Sequence, residues 1–311
     1  MIRLGVRSLG VAGDPQGFPG HGDWPQYPRL RSVIGSPEAI SKALCAHYPP
    51  LALRRLDAYA ATALLAAKLA LHAWATENPG ETRKAHCGVQ GDDPPAGCRA
   101  EPCQEGPGRA EPSLGLVVCT GRGPVPALNA FIDSSMDFGI EGASPTAFAR
   151  TVHNVAASII SMFLNITGPT LTVSQPGLGV SDALCTIGSW LDLGLVQAVL
   201  FGAADDYEAF SNILEGSSAR AASEPHGPLA VFAVLSRADA GGELLTVETG
   251  RFPPMREGGQ TLQTRCPGPV DILSGFLSAL AAGQKETILE EAYGGATASL
   301  RLRLKTKDAR S

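Results

Sequence analysis

The sequence has no apolar run long enough to span a bilayer, no long block of charge of one sign and no paired C-x-x-C, and each absence removes a class of function. Without the first, a membrane span is not expected, because a helix needs about 20 apolar residues to cross. The opening "MIRLGVRSLGVAG" has neither the longer apolar stretch nor the small-residue cleavage site of a signal peptide, so a cytoplasmic protein is expected. The 30 acidic and 25 basic residues give a formal net charge of -5 with both signs interspersed, which argues against a nucleic-acid footprint or an anionic-membrane surface. Small molecules or proteins remain as partners. Seven is an odd number of cysteines, and Cys45, Cys119 and Cys185 lie in apolar segments where a free thiol packs as a small hydrophobe. Cys87, Cys98 and Cys103 come closer together, but with only His86 beside them they read as loop thiols rather than a zinc site. No metal and no cofactor is expected.

What is present is a 311-residue chain, 44% hydrophobic, long enough for one large domain or two small ones. A short strand over residues 1–6 is followed by the Gly/Pro-punctuated "GDPQGFPGHGDWPQYP", which cannot hold a regular element and should wrap the surface. "RRLDAYAATALLAAKLALHAWA" is the clearest helix, apolar nearly all round and therefore expected to be buried. Residues 77–113 are polar and Pro/Gly-dense, with "RAEP" at 99–102 echoed at 109–112, and read as a disordered linker or surface insertion rather than a repeat.

"LGLVVCT" at 114–120 is strand-like, and the helix after it carries Pro126 in its first turn. "SPTAFARTVHNVAASIISMFL" predicts one long helix with Ser144 as N-cap and Pro145 at the first helical position. "VQAVLFGAADD" suits a strand buried on both faces. The last third offers the strands "PLAVFAVLSR" and "ELLTVETGRF", a helix over "DILSGFLSALAAG", and the strands "TILEEAYGG" and "TASLRLRL". Strands alternating with helices specify a layered α/β fold.

Between two of these elements "GPTLTVSQPGLGVSDAL" (168–184) is an alternating apolar run, a Gly/Pro elbow and the start of a helix. Such an elbow is a common way to present a nucleophile, because backbone N–H groups at a helix N-terminus favour negative charge. Here the tip is Gly177.

Four stretches together resemble the β-ketoacyl synthase family of the thiolase fold, over most of the chain outside 77–113. They are "RRLDAYAATALLAAKLAL", "SPTAFARTVHNVAASIISMFLNITGPTLTVS", "GSWLDLGLVQAVLFGAADD" and the closing "AYGGATASLRLRL". The resemblance implies a thiolase-like layered α/β fold, with residues 1–76 and 114–236 as the N-terminal half and 237–311 as a shortened C-terminal half. It also implies a cysteine at the elbow, accepting an acyl chain from an acyl carrier protein, and two histidines that assist decarboxylation. Gly177 stands at the cysteine's position, flanked by the pocket residues Gln175, Pro176 and Leu178. The stretch that would supply the first histidine is missing between Ala240 and Pro267, the second histidine's position falls near Pro269, and no histidine follows His226. Covalent catalysis needs a nucleophile with its activating partners, and this constellation has none.

Such a departure is similar to the chain-length factors and the compact partners of aryl-polyene-type systems, which have lost the cysteine. The resemblance therefore implies a catalytically silent subunit that pairs with an active β-ketoacyl synthase in polyketide, aryl-polyene or fatty-acid-type biosynthesis. It would help to shape the acyl channel and meet the acyl carrier protein only indirectly. In that family the strand before the elbow pairs across a dimer axis, which nominates Thr170, Leu171, Thr172 and Val173, with His153 and Asn154, as interface residues. Two alternatives stand beside it: an acyl-thioester enzyme without a covalent cysteine intermediate, and a degenerate scaffold paralogue.

Other residues could be read as chemistry and have plainer readings. Cys185, eight positions past the tip, falls two turns into an apolar helix and reads as core. Ser174 and Ser181 flank the turn without meeting G-x-S-x-G, so helix capping is the simpler role. His153 reads as a hydrogen-bonded helix residue rather than a general base. Asp205 and Asp206 read as a solvated strand end rather than metal ligands. "GLGVSDALCTIGS" lacks the P-loop lysine and the G-x-G-x-x-G spacing, so nucleotide binding is not expected.

Overall fold

The computed structural model describes residues 2–13, 29–77, 113–175, 177–207, 227–238, 243–249, 268–281, 284, 286–293 and 296–303. In chain order the elements are β1 (Ile2–Gly13), β2 (Leu30–Ile34), α1 (Pro37–Cys45), α2 (Pro50–Leu53), α3 (Ala58–Glu77), β3 (Ser113–Thr120), α4 (Val125–Gly142), α5 (Pro145–Phe148), α6 (Val155–Phe163), β4 (Thr170–Ser174), α7 (Gly179–Asp192), β5 (Val196–Asp206), β6 (Pro228–Arg237), β7 (Glu243–Thr249), α8 (Pro269–Ala281), β8 (Glu286–Tyr293) and β9 (Ala296–Arg303). The segment predicted as a linker lies outside the described residues except at its ends, Glu77 and Ser113. Cys87, Cys98, Cys103 and the Gly/Pro stretch after β1 also lie outside them.

Among the described residues nine strands join one sheet in the order β4-β3-β5-β6-β1-β7-β9-β8, with β2 pairing β1. β3 is parallel to β4 and β5, whereas β6 runs antiparallel to both of its neighbours, β5 and β1. The sheet passes without a break from the N-terminal half into β7, β9 and β8. It does so through β1, which extends to Gly13 rather than stopping near residue 6, because "GVRSLGVAG" continues the edge that β6 and β2 need.

Alternation along the central strands sorts side chains between two cores. Val117, Cys119, Val199, Phe201 and Ala203 face α7 and α8, while Leu116, Val118, Leu200 and Ala204 face α3 and α6. α3 is buried along most of its length, as its all-round apolar composition requires, and Asp57 caps it by accepting the Ala60 N–H at 2.8 Å. It lies so close to β1 that a Cβ on Gly10 would stand 2.1 Å from the Ala66 carbonyl oxygen.

The long helix predicted from Ser144 is broken. Ser144 does cap α5, accepting the Ala147 N–H at 3.2 Å, but α5 ends after one turn and α6 restarts behind Asn154. His153 therefore sits on an exposed turn rather than within a helix. The β-branched pair Thr151 and Val152 favours that interruption, and Asn154 stands at the N-cap position of α6 without a side-chain cap bond.

Candidate active site

The elbow lies at the C-terminal ends of the parallel strands β3 and β4, where α/β sheets place their sites. The Gln175 N–H donates to the Thr120 carbonyl at 3.2 Å, which carries the β3 ladder one residue past β4. Pro176 lies outside the described residues, Gly177 is buried, and Leu178 adopts the left-handed conformation at φ 61. A non-glycine residue there costs on the order of 1 kcal/mol, the strain of turning a strand into a helix within a few residues. The turn is secured from both sides: the Gln175 amide donates to Asp182 Oδ2 at 2.8 Å, and the buried Cys119 thiol donates to the Gly179 carbonyl at 3.4 Å. Pro269, the first residue of α8, closes over it, with Cγ 3.7 Å from where a Gly179 Cβ would stand. A proline ring at that place has no proton to donate or accept.

α7 has no side-chain cap from its own N-cap, Leu178. Glu291 of β8 supplies the partner instead. Its Oε1 accepts the Val180 N–H at 3.1 Å, and its Oε2 accepts the Ser181 N–H at 2.7 Å together with the Ser181 hydroxyl. Burial pushes the Glu291 carboxyl up, opposed by the Ser181 hydroxyl and the two backbone N–H groups. The capping role predicted for Ser181 thus belongs to Glu291, because Ser181 lies inside the first turn, and Ser174 is an exposed strand end.

A second cluster adjoins the first. Asp205 is fully buried, not a solvated strand end, and its Oδ1 accepts the Thr120 hydroxyl at 2.8 Å and the N–H groups of Gly121 at 2.9 Å, Arg122 at 2.7 Å and Gly123 at 3.2 Å. Three successive N–H groups converging on one oxygen form a backbone nest, an arrangement that elsewhere holds an anion. Burial pushes the Asp205 carboxyl up, against those four donors. Asp206 is buried as well, at 2% exposed. The strand end is closed because the 120–123 turn folds over it. The Arg122 guanidinium lies 4.2 Å from the centre of the Tyr207 ring, and the Tyr207 hydroxyl donates to Asp271 Oδ1 at 3.2 Å. Gly123, at φ 70, makes room for His153, whose Cδ2 would be 2.7 Å from a Cβ there.

Among the described residues of the elbow and its surroundings the candidate acceptor groups are absent, engaged or neutral. Gly177 has no side chain, and the Ser181 hydroxyl is spent on Glu291. Burial pushes the Cys119 thiol well up, and Cys185, half-buried, is pushed up by burial and then by the Asp182 carboxylate. Among the described residues no group of three or more His, Cys, Asp or Glu is placed to hold a metal, and no helix is long and apolar enough to cross a membrane. A cleft of about 160 Å³ is lined in part by Asp57, Tyr59, Pro126, Arg150 and Asp206, below the roughly 300–1,000 Å³ of ordinary small-molecule sites.

The nominated interface residues lie at two places, on β4 and on the turn that packs at Gly123. β4 is the sheet's terminal strand, with Thr170 exposed and Leu171, Thr172 and Val173 half-buried, and the turn with His153 and Asn154 is exposed. Met136, Phe138, Phe148, Val152 and Met162 are exposed apolar side chains of α4, α5, the following turn and α6. The alternating pattern "TLTVS" marked the strand; nothing in the sequence marked Glu291, which reaches α7 from 110 residues away.

These layers, with a strand–elbow–helix at the sheet's C-terminal edge, define a thiolase-like α/β fold with a shortened C-terminal half. No protein-family model and no curated protein matches the sequence. Among solved structures the chain is similar to one of a type II polyketide synthase acyl-carrier protein in complex with its ketosynthase, at 12% identity and TM-score 0.61, covering 98% of this chain and 99% of that one. It is similar to one of a ketosynthase in complex with its chain length factor from Xenorhabdus doucetiae, at 14% identity and TM-score 0.56, covering 97% and 100%. A β-ketoacyl synthase from Burkholderia phymatum STM815 gives 12% identity and TM-score 0.54, covering 98% and 100%. At such identities the likeness is one of fold.

Proposed function

We propose that this chain is a catalytically silent, ketosynthase-like subunit of the chain-length-factor kind, which pairs with an active β-ketoacyl synthase and forms part of its acyl channel. The observation that carries this reading is Gly177, a residue without a side chain at the buried tip of an elbow whose strand, turn and helix are otherwise intact. Two further features support it. The backbone N–H groups of Gly121, Arg122 and Gly123 are occupied by Asp205, and those of Val180 and Ser181 by Glu291, so these five are not free to stabilise an oxyanion. The terminal strand β4, packed beside α6 with its exposed Met162, offers an edge for a mate.

In this reading β4 pairs with the ketosynthase's corresponding strand, Gln175 and Leu178 face the channel, and the acyl carrier protein docks on the active partner. The chain contributes to polyketide, aryl-polyene or fatty-acid-type synthesis in the cytoplasm, a setting that suits its free thiols at Cys45, Cys119 and Cys185. Coexpression with the ketosynthase encoded beside it tests the pairing: light scattering should give a one-to-one complex. A chain that stays a soluble monomer beside every such ketosynthase overturns the reading.

A further inference from the structure

The contact between Glu291 and α7 does more than finish a helix. α7 is 14 residues long and begins one residue after Leu178, so its N-terminal N–H groups lie where an elbow nucleophile or a substrate oxyanion would draw stabilisation. The two N–H groups of Val180 and Ser181 bond instead to separate oxygens of one carboxylate, a two-point arrangement that suits the ionised form. Glu291 is 2% exposed, so water cannot screen it. The other acidic group near this end, Asp182, has the same sign and is held by Gln175, while Cys119 beneath is a buried neutral thiol.

We infer that Glu291 is a built-in anionic plug, an autoinhibitory contact that fills the elbow helix's anion-stabilising end and closes the elbow to thiolates, oxyanions and small carboxylates. It rests on the reading of Gly177 as the elbow tip and deepens it: the silence of the elbow is electrostatic as well as a missing side chain. A cysteine placed at position 177 would face a helix end already neutralised, with a negative charge buried nearby, and would keep its proton.

The experiment compares the full-length Gly177→Cys protein with Gly177→Cys/Glu291→Gln, following alkylation of residue 177 by iodoacetamide against pH with peptide-resolved mass spectrometry. The expected result is a thiol that titrates above the ordinary range in the first variant. In the second its titration should move down by about one unit, giving about tenfold faster alkylation at neutral pH. A thiol that is already thiolate at neutral pH with Glu291 in place, or the same titration in both variants, overturns the inference. Because a side chain at 177 can itself perturb folding, Glu291→Ala in the native background provides a second measurement. Its thermal midpoint should rise in formate relative to chloride at equal ionic strength, and the wild type should show no such difference. A variant that unfolds with no formate response, or one as stable as wild type in both salts, overturns the plug. Failure of this rescue leaves the silent-partner reading intact, whereas acyl loading of the native chain would sink that reading and leave the Glu291 contact standing.

Discussion

Asp205 Oδ1 accepts the Thr120 hydroxyl at 2.8 Å across 85 residues of sequence, and the same oxygen gathers the N–H groups of Gly121, Arg122 and Gly123. One carboxylate therefore shapes the turn that carries Arg122 onto Tyr207 and seats Gly123 beneath His153. Asp205→Ala would leave a hydroxyl and three amides without their acceptor in a buried site, costing about 3 kcal/mol or more of unfolding free energy. Asp205→Asn keeps an acceptor oxygen and should lose less than half of that. Urea unfolding reads both, and equal losses would show that the acceptor is not what matters.

The buried carboxyls set a pH dependence. Burial pushes Asp57, Asp205 and Glu291 above the ordinary range. Between the unfolded and the raised folded values the folded chain binds more protons than the unfolded one, so this contribution to stability is full below an unfolded carboxyl pKa of about 4. It is lost as pH rises through the raised values. Denaturant unfolding at a series of pH values should therefore show a declining component on the neutral side that Asp205→Asn reduces; an unchanged slope would place the effect elsewhere.

The edge of β4 can be tested without touching the core. Leu171 and Val173 pack against the α7 side of the sheet, so a charge there would unsettle the fold as well as an interface. The Leu116 N–H donates to the Pro169 carbonyl and the Gln175 N–H donates to the Thr120 carbonyl, so alternation turns the Thr172 N–H away from β3. Thr172→Pro removes an outward donor and leaves the β3 ladder whole. Pairing with the ketosynthase should fall at least tenfold in binding measurements, with circular dichroism unchanged. Undiminished binding would exclude β4 as the joining strand.

Close backbone approach at Gly10 gives a stability test far from the elbow. A Cβ there would stand 2.1 Å from the Ala66 oxygen and 2.4 Å from the Ala70 nitrogen, both of them backbone atoms that cannot step aside singly. Gly10→Ala should cost about 3 kcal/mol by forcing α3 from β1. A thermal midpoint within a degree or two of wild type would contradict that packing.

Local patterns made much of the fold legible. The elbow showed as alternation followed by glycine, α3 as an Ala/Leu run behind Asp57, and β5 as an unbroken apolar strand, because each of these depends on near neighbours in sequence. The interruption at Thr151–Asn154 is hidden because the apolar spacing continues across it, and the second half of β1 because a register shift between Val6 and Ser8 interrupts its alternation. The occupants of the two N–H clusters were not legible at all. Asp205 at a strand end and Glu291 in "LEEAY" have no local signature, and their partners lie 82 to 111 residues away, so only the closed sheet brings them together.

The most direct measurement takes the one-to-one complex with the neighbouring ketosynthase, loads it from an acyl-carrier-protein thioester, and reads the intact mass of each chain separately. The expected result is one acyl group on the ketosynthase chain and an unmodified mass for this one. A stoichiometric acyl adduct on this chain, whether at Cys185 or elsewhere, would contradict the silent-partner reading.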